Sequence, residues 1–110
     1  KAAEKTLKNP SEAYYYYSVA QARKKEGNVT GAIELYKRAI GLDPRSVYLH
    51  TDLGSLSLHA GRFDEAKKSL EKALEIDPKY AAPYAYLAEV YSALKDDATA
   101  AKHYQSAIEF

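Results

Sequence analysis

Cysteine, methionine and tryptophan are absent from the 110 residues, and histidine occurs only three times. Without cysteine there is no disulfide, no thiolate nucleophile and no cysteine-held metal, although the redox compartment stays open. Long apolar runs are missing too. No stretch approaches the roughly 20 residues that span a bilayer, and no charged start followed by a hydrophobic segment marks a secretory signal. No direct membrane insertion is expected. The chain begins at Lys1 rather than methionine, which is compatible with a targeting segment removed or never included; a soluble, cytoplasmic protein is expected. The five glycines occupy turn or packing positions, so there is no glycine-rich phosphate loop.

The residues present suit a small helical domain. With 46% apolar and 28% charged residues, the chain can bury one modest core. Its net charge of +1 hides an asymmetry: residues 1–46 carry nine Lys/Arg against five Asp/Glu, whereas residues 47–110 carry seven against ten. Such polarity either orients a charged partner or is an ordinary solvated surface.

The strongest signal is a repeat. Pro10, Pro44 and Pro78 stand 34 residues apart, and the segment Ala32 to Pro44, AIELYKRAIGLDP, is echoed by Ala66 to Pro78, AKKSLEKALEIDP. The same spacing of 34 relates Ala32, Ala66 and Ala100; Tyr36, Leu70 and Tyr104; Ala39, Ala73 and Ala107; Tyr16, His50 and Tyr84; and Val19, Leu53 and Leu87, followed by Ala20, Gly54 and Ala88. A fixed period of this length means stacked helix-turn-helix units, none of which buries its own apolar face, so neighbours supply the core.

The apolar positions recur every three or four residues and predict first helices near 13–26, 47–60 and 81–94 and second helices near 30–42, 64–76 and 97–109. Gly27-Asn28 and Gly61-Arg62 supply the turns within units. Asp43-Pro44 and Asp77-Pro78 end the second helices, since the residue before proline avoids helical geometry and proline has no amide to donate. Residues 1–12 are read as an N-terminal segment, the tail of a preceding repeat; 13–46, 47–80 and 81–110 are repeats one, two and three, the last truncated. The end at Phe110 lacks a polar capping helix, so either the native protein continues or this end associates through Ala101, Tyr104 and Ile108.

Over residues 13–110 the pattern resembles the tetratricopeptide repeat family: an aromatic, a Leu-small pair, an Ala, an aromatic four residues on, and a closing proline. The resemblance implies an all-α, right-handed α-solenoid of three 34-residue helix-turn-helix repeats, without a C-terminal cap, that works as a protein-interaction scaffold. Two departures stand out. The first-helix tyrosine position of the family is met by Tyr91 but holds Arg23 and Ser57 in the earlier units, and the turn glycine becomes Lys95 in the third. Looser packing is expected in the first two units.

Eleven tyrosines are the most unusual compositional feature. Tyr16, Tyr36, Tyr84, Tyr91 and Tyr104 fall in packing positions. In the family the first helices line a concave groove, which places Tyr14, Tyr17, Ser18, Gln21 and Lys24 of the first unit on that surface. The second unit adds Tyr48, Thr51, Asp52, Ser55 and His59, and the third adds Ala82, Ala85, Tyr86, Glu89 and Ser92, with Tyr80 looking toward them from the preceding loop. Tyr14, Tyr17, Tyr48 and Tyr86 are then free to recognise a partner, because tyrosine joins a large apolar ring to a hydrogen-bonding tip at low entropy cost. The alternative is that these rings pack against one another in a narrow groove.

One subset of the family grips the free carboxylate of chaperone tails with lysine, asparagine and arginine side chains along the groove. The matching positions here are Tyr17, Gln21, Asp52, Ala82 and Tyr86, so binding of that kind should be weak or absent. Nor is catalysis expected: His50 sits in a packing position, His59 ends a first helix and His103 lies on the last second helix, which forms neither a metal triad nor a Ser-His-Asp arrangement. No cofactor or metal is expected. Arg23-Lys24-Lys25 is a short basic run at a helix end with no extended basic face, so no nucleic acid is expected. Two functions remain: a peptide or helix of a partner protein in the tyrosine groove, or assembly through the open ends with copies or further repeats.

Overall fold

The computed structural model describes residues 10–110; the reading of residues 1–9 as the tail of an earlier helix lies outside them. Six helices follow one another: α1 (Pro10–Lys25), α2 (Val29–Leu42), α3 (Val47–His59), α4 (Phe63–Ile76), α5 (Ala81–Ala93) and α6 (Asp97–Glu109). No strand occurs among the described residues. Helices pair within each unit, α1 with α2, α3 with α4 and α5 with α6, and each second helix then packs on the next first helix. The result is an α-solenoid.

Five helices match the expected spans to within one residue at each end. The exception is α1, which starts at Pro10 instead of near residue 13, so residues 10–12 belong to the first helix. Proline is well suited to a first helical turn, where its missing amide proton would have no partner.

Short-range chemistry sets the turns. Gly27 and Gly61 have φ of +83° and +78°, and Lys95 takes the same left-handed conformation at +67°. Side chains cap the helices that follow: Asn28 accepts from the Gly31 amide at 2.9 Å, and Asp96 from the Thr99 amide at 3.2 Å. The equivalent Arg62 caps with its backbone alone, because a guanidinium has no lone pair to offer. The loops between units are tied down by the packing position shared by His50 and Tyr84, which donate to the carbonyls of Pro44 and Pro78 at 2.9 and 2.8 Å.

The core is discontinuous and lies between units, as the repeat requires. One cluster joins Ala20, Ala32, Ile33, Tyr36 and Ala39 to Leu49, Leu53 and Leu56 of the next unit; the other joins Leu58, Ala66 and Leu70 to Leu87 and Val90. Gly54 lets α3 and α4 approach closely, since a Cβ there would lie 2.6 Å from Leu70 Cγ and Cδ2.

The expected looseness of the first two units is not seen. Ala20, Ile33, Tyr36 and Leu70 are all fully buried, and the trace left at the Ser57 position is a buried hydroxyl without a hydrogen-bond partner. The third unit is the more open one. Tyr104, in a packing position by register, is exposed together with Ile108, which is 87% accessible. Its helix α6 packs on α5, and no described helix covers the other side.

Candidate functional site

The first helices do not pack evenly. Helix α3 lies against α5, whereas α1 and α3 make no comparable contact, α2 and its following loop standing between them. A cleft of about 430 Å³ results, lined by Pro10, Ala13, Tyr14 and Tyr17 from α1, by Asp43 and Ser46 from the loop, and by Tyr48 and Leu49 from α3. On its rims Tyr14 is 69% and Tyr48 64% exposed. An exposed ring beside a concavity supplies apolar area without being needed for the core.

Tyr17 and Tyr86 differ from those two. Tyr17 packs against the first core cluster, its ring edge-on to Tyr36 at 6.2 Å, and Tyr86 packs against the second cluster. Both therefore serve the fold. Mutual ring packing also occurs, Tyr14 with Tyr17 at 6.1 Å and Tyr48 with Tyr80 at 5.5 Å and 80°. Tyr80 thus meets α3 from its loop.

Some polar residues of the expected groove are already engaged. The Gln21 amide donates to the Tyr36 hydroxyl at 2.7 Å, tying α1 to α2. Burial pushes the Tyr36 phenol well above the ordinary tyrosine range, the charge of Asp52 and the proximity of Tyr17 adding to this while the Gln21 bond opposes it. Thr51 is 3% exposed and its hydroxyl donates to the Val47 carbonyl one turn back, so its polar group is satisfied within its own helix. Ser18, Lys24 and Glu89 are exposed, and Ser55 is half-buried.

Among the charged residues of the expected groove, Asp52 differs from the exposed Lys24 and Glu89. It is half-buried, makes no hydrogen bond or close ion pair among the described residues, and burial holds its carboxyl above the usual carboxylate range despite the opposing charge of Lys24. The family resemblance assigned it to the groove; its lack of a partner is a tertiary fact with no signal in the sequence.

The histidines stand apart. His50 is bound to its loop, and His103 donates through Nδ1 to the Thr99 carbonyl at 2.9 Å, with its ring stacked on Tyr91 at 5.2 Å. Among the described residues no group of His, Asp and Glu is arranged to hold a metal, and no helix is long and apolar enough to cross a membrane.

Comparison with known proteins gives a consistent result. The tetratricopeptide repeat model matches residues 24–70 and again 57–110. The TPR repeat-containing thioredoxin TTL4 of Arabidopsis thaliana is 33% identical over 79 residues, covering 72% of this chain and 12% of that protein. Tetratricopeptide repeat protein 36 of Mus musculus is 33% identical over 91 residues, 77% of this chain and 48% of the relative. The chain spans less than half the length of these relatives. Among solved structures, the first TPR of Spaghetti (RPAP3) bound to HSP90 peptide SRMEEVD superposes with a TM-score of 0.88 at 21% identity, covering 94% of this chain and 82% of that one. A crystal structure of MamA protein gives 0.83 at 26% identity, covering 89% and 54%.

Proposed function

The chain belongs to the tetratricopeptide repeat family, and we propose that it is a non-catalytic scaffold holding a peptide or helix of a partner protein in its concave, tyrosine-rimmed groove. The observation that carries this reading is the cleft between α1 and α3, open to solvent and bordered by two rings, Tyr14 and Tyr48, that the core does not use. Such rings are typical anchors, since truncating one at the centre of an interface costs about 2 kcal/mol or more. A similar fold carries a peptide in the HSP90-bound structure of Spaghetti. The acidic SRMEEVD sequence suits this groove poorly, because Asp52 and Glu89 repel it and the Gln21 amide is spent on Tyr36. A protein partner fits better than nucleic acid, because Asp43 lines the cleft, Asp52 and Glu89 are assigned to the same groove, and Arg23 is paired with Glu26 at 3.2 Å.

A random-peptide display selection on the immobilised chain tests this, run beside Tyr14→Ala/Tyr48→Ala. Both rings are exposed, so the variant keeps its core, and circular dichroism checks it. Peptides that bind the parent and lose about 30-fold or more on the variant support the groove; equal binding by both rejects it.

A second reading has its own observation. Ala101, Tyr104 and Ile108 lie three and four residues apart on α6 and are all exposed, an apolar stripe suited to a further helix or a second copy of the chain. Sedimentation at rising concentration, with Ile108→Glu as control, should show association that the variant lacks; a monomer throughout removes this reading.

A further inference from the structure

We propose that the groove takes a basic side chain, arginine or lysine, of its partner peptide into the corner formed by the Tyr48 and Tyr80 rings and the Asp52 carboxylate, an inference that rests on the groove being the binding surface. Tyr48 and Asp52 are four residues apart on α3 and share one face. Tyr80, from the loop before α5, brings its ring to 5.5 Å from that of Tyr48 at 80°, so the two rings stand as adjoining walls.

The carboxylate is the part the fold leaves unanswered. Several exposed acids of the second helices and the first turn are paired, Glu26 with Arg23, Glu34 and Glu65 with Lys37, and Glu75 with Lys72, whereas Glu89 has no ion pair among the described residues but is exposed. Asp52 is more buried than these and has no hydrogen bond or ion pair within 4.0 Å among the described residues. A half-buried charge without a protein partner is incompletely solvated, and a cation supplied from outside the fold would relieve that cost. The charge of Lys24 acts on it, but that side chain is exposed and beyond ion-pair reach.

The rings call for the same occupant. A cation is drawn to the negative face of an aromatic ring, and the fold uses this twice, with Arg38 over Tyr16 at 5.5 Å and Lys67 over Tyr91 at 5.2 Å. No cation of the described residues covers Tyr48 or Tyr80. A guanidinium or ammonium entering the corner would meet both ring faces and the carboxylate together, and charge complementarity disfavours an acidic segment.

The test runs the display selection in parallel on the parent and on Asp52→Asn. The expected result is an arginine or lysine held at one position by the parent and lost from the variant selection. A recovered arginine peptide resynthesised with neutral citrulline should weaken about tenfold on the parent and hardly change on Asp52→Asn. Peptides without a consistent basic residue, or citrulline binding the parent as well as arginine, overturn the inference while the groove stands, provided those peptides still fail on Tyr14→Ala/Tyr48→Ala. If no peptide distinguishes the parent from that tyrosine variant, the groove and the inference fall together.

Discussion

His50 and Tyr84, 34 residues apart, perform one task with different chemistry: each donates to the carbonyl of the proline six residues before it, at 2.9 and 2.8 Å. A carbonyl only accepts, so the His50 ring carries its proton on Nε2. The donor ties the loop to the start of the first helix in both units.

Tyr84→Phe should therefore lower stability by about 1 kcal/mol while leaving ring packing intact. His50→Phe should cost at least as much, because His50 is the more buried of the two. Urea unfolding midpoints at constant slope measure both. A Tyr84→Phe midpoint equal to the parent's would show that water satisfies the Pro78 carbonyl equally well.

Lys95 holds φ of +67° where the two earlier units have glycine. A left-handed conformation costs an L-residue about 1–2 kcal/mol, offset in part by the larger unfolded-state entropy of glycine. Lys95→Gly should stabilise the chain by about 1 kcal/mol, and Gly61→Ala should destabilise it by a similar amount. Thermal unfolding of the pair would show opposite shifts in Tm; shifts of the same sign would contradict the backbone explanation.

Gly54 and Leu70 are matched in size. A Cβ on residue 54 would lie 2.6 Å from the Leu70 side chain, which is fully buried and has no room to retreat. Gly54→Ala should destabilise by about 1–3 kcal/mol through overpacking, and Leu70→Ala by about 2–5 kcal/mol through a cavity. Combined, the two should cost clearly less than their sum, because the added methyl occupies part of the vacated space. Simple additivity in a double-mutant cycle would show that the helices separate instead.

Asp52 makes stability depend on pH in a definite direction. Its folded carboxyl binds a proton more tightly than the ordinary value of 3.8, so the native state holds the proton longer than the unfolded chain as pH rises. The contribution is complete below that ordinary value and is lost as pH climbs through the raised folded value. Asp52→Asn should therefore be more stable than the parent at pH 7 and nearly equal to it below 3.8. Denaturant midpoints at both pH values decide this. A less stable Asn variant at pH 7 would mean that Lys24 outweighs desolvation.

Periodicity alone determined the architecture. Six helical segments, their turns and their order follow from apolar residues recurring at three- and four-residue spacing and from a proline and glycine punctuation repeated every 34 residues, because these patterns act through local backbone geometry and through neighbours of similar design. The resemblance to the repeat family, applied in that register, assigns Tyr14, Tyr48 and Asp52 to one surface. What each side chain does there was decided by contacts between units, which a repeat pattern averages away. Tyr17 and Tyr86 lean into the core, Thr51 turns to its own helix and Gln21 is bound to Tyr36. Only the separation of α1 from α3 opens the cleft, and only the packing around α3 leaves Asp52 half-buried without a partner. A charge acquires its cost from the dielectric and the partners around it, and those exist only once the helices are stacked.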